Sequence, residues 1–268
     1  VNLQIDWNDV LNSSSSNIEG NLNITKVDLT GQTTDESYVL SNINNLNLSE
    51  NIQLISDTNF NNYLELENGV LGTSKINLAD AVNNKDAQNR VYQLTGNEEV
   101  LSDLGTMAGT DSTLIVNGAG NEIKGNDNDG ATIGAGNTLA LNNIKNIDGF
   151  KDDLFATNEG TINLSNVILN DKVTGNGVVN INGNSTINNS ITNTINLNSG
   201  YLTLGQMGDL SQAASLVANG GGLSLQNGAI QNTNLGSLVL NNDLNLKLDG
   251  NFANQTLDTI TANNFEAN

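Results

Sequence analysis

An apolar residue, a small or polar residue and a second apolar residue, bounded by Asn or Gly, recur down the whole chain. The pattern begins at Leu3/Ile5 and continues through Leu22/Ile24, Leu46/Leu48, Leu64/Leu66, Ile76/Leu78, Leu114/Val116, Leu139/Leu141 and Ile162/Leu164. It runs on through Val179/Ile181, Ile195/Leu197, Leu202/Leu204, Leu223/Leu225, Leu238/Leu240 and Leu244/Leu246/Leu248. A period of two returns side chains to one side of a strand, so each unit reads as a short strand with one buried face. Strands this short cannot each own a core and must stack their apolar faces in a common one. The expected fold is all-β: a right-handed single-stranded parallel β-helix, or solenoid.

Regularity changes along the chain. Thr113 to Asn117, Thr138 to Asn142 and Thr161 to Ser165 share one pattern and begin about two dozen residues apart, the length of a coil made of three short strands and their turns. Residues 111–268 therefore read as regular coils. Residues 1–110 read as less regular N-terminal coils, continuous with the rest, carrying loops and one short helix. The helix is expected between Ile76 and Asn89, where Leu78, Ala79, Ala81 and Val82 share a face, ahead of the strand-like Val91 to Leu94. Loops are expected at Ser13 to Ser16, Thr30 to Ser37 and Glu98 to Asp111. Coils of this size over the whole chain give about eleven turns and a rod of roughly 50 Å.

The corners have their own signature. Gly118-Ala119-Gly120-Asn121 recurs as Gly134-Ala135-Gly136-Asn137, and Gly and Asn accept positive φ at low cost. Asn also recurs at strand ends: Asn142, Asn143, Asn166, Asn182, Asn188, Asn227, Asn241 and Asn242. Stacked coils would bring such amides about 4.8 Å apart, close enough to hydrogen-bond along the axis. The alternative is that asparagine is simply abundant at turns.

Charge and missing residue types exclude more than they assign. With 29 acidic and nine basic side chains the net charge is -20, and the single arginine, Arg90, belongs to no basic stripe. Phosphate backbones and anionic membranes are therefore poor candidate partners, since both favour clustered Lys or Arg. There is no cysteine and no histidine. Disulfides, thiolate sites, Ser-His-Asp triads and His-ligated metals are all beyond this chain. Proline is absent too, in keeping with a chain made largely of ladder. No apolar run approaches the roughly twenty residues of a membrane span. The chain opens without Met and closes mid-pattern at Phe265 to Asn268, so it reads as a piece of a longer polypeptide.

The order of units from Val91 to Gly125, followed by Leu139 to Ile144 and Phe155 to Asn170, resembles the right-handed parallel β-helix of pectate-lyase-like proteins. It is most similar to the passenger regions of Gram-negative autotransporters and polymorphic outer-membrane proteins, and the tail from Leu238 to Ile260 is similar to later coils of such passengers. The resemblance covers about Lys75 to Asn268 and is one of pattern, with no catalytic motif. It implies an extracellular rod at the bacterial outer-membrane surface, secreted and associated with adhesion and virulence. It also implies that the parent chain is anchored by a membrane β-barrel that lies outside this sequence. Binding residues do not transfer with it, because one scaffold carries many sites.

Candidate sites are few. Asn126-Asp127-Asn128-Asp129-Gly130 gathers oxygens near a glycine turn, a hard-cation pattern that makes Asp127 and Asp129 calcium candidates. It lacks the closing glutamate of a twelve-residue calcium loop, and the expectation is a solvated turn. Asp148, Asp152 and Asp153 lie beside Lys151; carbohydrate cleavage needs two carboxylates at a fixed separation, and the expectation is a solvated loop. Asn-x-Ser/Thr triplets at Asn12, Asn23, Asn47, Asn163, Asn184, Asn188 and Asn254 are what an Asn-rich chain contains by chance. Trp7, Tyr38, Tyr63, Tyr92 and Tyr201 are too scattered for an aromatic platform, and Phe150 with Phe155 suits a coil corner.

The expected function is a non-catalytic bacterial surface module. It would act in adhesion, or as a rigid stalk presenting loops to a surface protein or glycan of a host or neighbouring cell, with no cofactor. Thr30 to Ser37 and Glu98 to Asp111 are the expected binding loops. The rival is a polysaccharide lyase or glycoside hydrolase on a β-helix, which a groove lined by carboxylates and a base would favour. An ice or crystal binder needs outward Thr columns, and Thr is irregularly spaced along the sequence.

Overall fold

The computed structural model describes residues 22–28, 46–55, 63–66, 77–83, 89–94, 96–205, 207–226, 234–249 and 261–267. The segments Ser13 to Ser16 and Thr30 to Ser37, with Trp7 and Asn227, lie outside them. Parallel strands stack as a β-solenoid of about six turns. The strands of these turns lie on three faces. The first begins at Asn89–Gln93 and runs through Thr113–Asn117, the start of Thr138–Asp148 and of Thr161–Leu169, then Val178–Ile181, Thr194–Leu197, Ser215–Ala218, Asn234–Leu240 and Thr261–Ala267. On the second lie Glu98–Glu99, Glu122–Lys124, Ser185–Ile187, Tyr201–Leu204, Gly222–Gln226 and Asn245–Asp249. The third is a 4-stranded sheet of Gly105–Met107, Ala131–Ile133, Leu154–Asn158 and Lys172–Thr174.

The two-residue period becomes vertical columns. Leu114, Leu139, Ile162, Val179, Ile195 and Leu216 lie in register on the first face, as do Val116, Leu141, Leu164, Ile181 and Leu197, and all are buried. On the second face Ile123, Ile147, Leu169, Ile187, Leu204 and Leu225 form the matching column. These columns join one continuous apolar cluster that also takes in Phe150 and Phe155, whose rings meet edge to face at 5.5 Å at a corner.

The helix forms at Leu78–Asn83, with Leu78, Ala79, Ala81 and Val82 buried. Asn77 and Asp80 cap it reciprocally: the Asp80 N–H donates to Asn77 Oδ1 at 2.8 Å and the Asn77 N–H to Asp80 Oδ2 at 3.2 Å. Its apolar face closes the end of the core. Buried Arg90 ties it down, donating to the carbonyls of Ala81 and Val82 and, at 2.7 Å, to Ser112 Oγ.

Three sequence expectations are corrected. The turn count is about six rather than eleven. Part of the difference is that Leu22–Asp28 and Leu46–Ile55 pair in a 2-stranded sheet of their own, and Tyr63–Leu66 pairs antiparallel to Asn89–Gln93. Strand Leu46–Ile55 lies against Thr113–Asn117 and Thr138–Asp148, where the outward-pointing Ile115 and Ala140 are buried. Second, Glu98 to Asp111 is a coil rather than a projecting loop: it supplies strands to two faces and buries Val100, Leu104 and Met107. Its strands are only two and three residues long, too short to display a period. Third, Thr is regular in register. Thr106, Thr132, Thr157 and Thr174 form one outward column and Thr113, Thr138 and Thr161 another. Coil length varies, so equal heights fall at unequal sequence intervals.

Asparagine does form ladders. Asn180 donates to Asn163 and Asn196 to Asn180, both at 2.8 Å. Asn198 donates to Asn182, Asn219 to Asn198 and Asn241 to Asn219 at 2.7 to 2.9 Å. Asn146, Asn170 and Asn188 form a third set. These bonds join residues 16, 17, 21 or 22 apart on the first face alone. Asn143 and Asn166 instead take positive φ at equivalent corners. In both glycine-rich repeats the third residue has positive φ, 80° at Gly120 and 83° at Gly136, within turns closed by Asn121 and Asn137 N–H groups.

Replacing Asn198 by Ala removes one donated and one accepted bond, and should cost about 1–2 kcal/mol in urea unfolding. An unchanged midpoint would show that the ladder contributes nothing.

Candidate functional site

Asp127 and Asp129 sit exposed on a tight turn in which Asn126 and Asp127 both have positive φ. The neighbouring amides are turned inward: Asn128 Nδ2 donates to the carbonyls of Val100 and Gly125 at 2.8 and 3.0 Å, and Asn126 Nδ2 to Val100. Asp129 forms an exposed ion pair with Lys151 at 2.9 Å. The turn thus uses its amides to hold the coil below and one carboxylate to hold the coil above. Among the described residues no three acidic side chains gather around a point that could hold a metal.

Asp152 and Asp153 lie exposed on a 3-10 turn, Lys151–Asp153, with φ of 56° and 52°. Asp148 accepts from Asn146 Nδ2 at 2.9 Å. Sequence reading missed the fourth carboxylate, Asp171, which is buried and accepts the Phe150 N–H at 2.8 Å. Burial raises its pKa from the ordinary value; the Phe150 N–H lowers it, Asp153 and Asp148 push it up, and the Gly149 N–H opposes them. Its spacing from Asp148 and Asp153 in sequence matches one coil, which was the only available signal. At the other end, Glu98 accepts from Tyr92 OH at 3.1 Å and from the Leu78 N–H at 3.3 Å. Burial raises its pKa as well, against the lowering effect of both hydrogen bonds. Beside it a recess of about 40 Å³ is lined by Leu78, Val100 and the exposed Leu101.

Both acids carry raised folded-state pKa values, so the folded protein holds protons that the unfolded chain releases. Their stabilisation is complete below the unfolded values of about 4 and is lost as pH rises through the raised folded ones. Stability should therefore be higher in mild acid than at neutrality, and Asp171→Asn should flatten part of that slope. A stability that rises over this window in the parent chain would contradict the assignment.

Among the described residues, the outer side of the first face between Thr161 and Asn241 is a regular surface. Its leading column is Thr161, Val178, Thr194 and Ser215; its middle column is Asn163, Asn180, Asn196, Val217 and Val239. The corner ladder of Asn182, Asn198, Asn219 and Asn241 completes it. Nearly every one of these side chains is half-buried, as expected on an open sheet. None is charged, in a chain of net charge -20.

Comparison of the chain with family models, with curated proteins and with solved structures gives no match.

Proposed function

We propose that this chain is a non-catalytic surface module, a β-solenoid segment of a bacterial adhesin or autotransporter-type passenger. In this reading it acts extracellularly in adhesion or as a rigid stalk, in a parent anchored at the outer membrane. The observation that supports it most is the distribution of polar chemistry. The acidic candidates hold turns and corners, as Asp129 does with Lys151 and Asp171 with Phe150. Meanwhile the first face between Thr161 and Asn241 carries regular, uncharged hydroxyls and amides. Such a molecule presents surfaces. Its partner is a protein or glycan of a host or neighbouring cell, met without basic contacts.

One observation favours an enzyme of the polysaccharide lyase or hydrolase type. A carboxyl with a raised pKa, such as Asp171, is what a general acid requires. Asp171 already spends itself on the Phe150 N–H, and Lys151 on Asp129, which favours the structural role.

Beads coated with the folded chain should adhere to host cells or matrix, and shortening Thr30 to Ser37 to a Gly-Asn turn should reduce that adherence. Asp152→Asn with Asp153→Asn should leave it unchanged. No adherence by any folded version would remove the adhesive role. Depolymerisation of a polysaccharide by the chain, lost in Asp171→Asn, would replace the reading by the enzyme.

A further inference from the structure

We infer that two copies of this chain pair through the uncharged outer side of the first face, between Thr161 and Asn241. This goes beyond the surface-module reading, and its test in solution can fail while adherence to cells succeeds.

Electrostatics selects the face. At -20, two copies repel wherever their carboxylates approach, and like charges brought together across an interface are strongly unfavourable. Between Thr161 and Asn241 the first face is a surface on which that cost is small, because its outward residues there are Thr, Ser, Asn and Val; the strand beyond places Glu266 in register with Val239.

Hydrogen-bonding capacity points to a partner of the same kind. An amide offers two N–H donors and two acceptor lone pairs. Asn180 donates one N–H to Asn163 and accepts one from Asn196; Asn198 stands likewise between Asn182 and Asn219. Each retains a donor and an acceptor directed away from the ladder, so the face is self-complementary, as a twofold pairing requires. The ladder has already fixed these side chains, and little rotamer entropy remains to be lost on contact. The repeat matters as well. A stack of strands about 4.8 Å apart matches another stack of the same spacing, as in paired cross-β sheets with Asn ladders. A second copy carries that spacing by construction. A sugar polymer would be met by exposed aromatic rings, and this face has none.

Area sets the strength. Five strands of about five residues cover roughly 400 Å² per copy, about half of the 800 Å² or so that each partner gives to a stable interface. Free copies should pair weakly, and copies tethered in an array should pair by avidity.

Sedimentation of the full 268-residue chain over a wide concentration range, at low and high salt, tests this. The expected result is reversible dimerisation that strengthens with salt, because screening removes the net repulsion. Val178→Glu with Val217→Glu should weaken it by about tenfold or more without lowering the melting temperature by more than a few degrees. Thr203→Glu, on the second face, should leave it unchanged. A monomer under every condition would overturn the proposal. So would pairing that weakens with salt, or pairing lost in Thr203→Glu and kept in the double variant. A monomer that adsorbs to ice would assign the Thr and Asn columns to a water lattice, and would also overturn it.

Discussion

Leu139→Asp and Ile162→Asp should each cost about 4 kcal/mol or more, enough to unfold a marginal domain. The two side chains lie in register on consecutive turns, 2% and 0% exposed, with Leu114 below and Val179 above. A carboxylate at either height would be enclosed by buried apolar side chains. It must take up a proton or force the turn open, and either way the stacked contacts are lost. Thr161→Asp, one residue before Ile162 and pointing outward, should change stability by less than about 1 kcal/mol. Urea melts separate the two outcomes. Inward and outward variants that melt alike would mean that the alternation has been assigned to the wrong faces.

Arg90→Met should be the most damaging change at the capped end, at about 3 kcal/mol or more. The guanidinium is fully buried, and its partners include the Ala81 and Val82 carbonyls at the end of the helix and Ser112 on the next coil. Removing it leaves buried acceptors without donors, each costing about 1–3 kcal/mol. Lys should not rescue it, because an ammonium lacks the planar fork that reaches all three. Amide exchange in 77–83 and 89–94 should accelerate before exchange in the central turns, as the cap opens first. Uniform acceleration along the chain would show instead that the cap and the stack unfold as one unit.

Legibility followed the length of the signal. Strands such as Thr161–Leu169 display several inward positions, and their alternation was readable directly. The helix at Leu78–Asn83 was readable from four apolar residues on one face. Amide ladders were readable only as a possibility of the residue type, because a ladder depends on register rather than on sequence distance. The same cause hid the Thr columns: Thr132 and Thr157 are neighbours, as are Thr157 and Thr174, although the two sequence intervals differ. Glu98 to Asp111 was misread because Glu98–Glu99 and Gly105–Met107 are shorter than any periodicity window. Asp171 and Arg90 were opaque for another reason. A charged residue reads as exposed until the backbone groups that it satisfies are in view.

A distance measurement across the turns tests the register most directly. The chain has no cysteine, so Thr106→Cys with Thr192→Cys accepts a pair of spin labels and nothing else does. Thr106, Thr132, Thr157 and Thr174 share a column, and the bridge between Val173 and Ile191 places Thr192 next in it. Four spacings separate the labelled positions, a backbone distance of about 19 Å. The expected result is one narrow distribution near that value, shortening by about 5 Å when Thr132→Cys replaces Thr106→Cys. A broad distribution, or one that does not shorten by a single spacing, would contradict a register-locked parallel stack and with it the faces on which the functional reading depends.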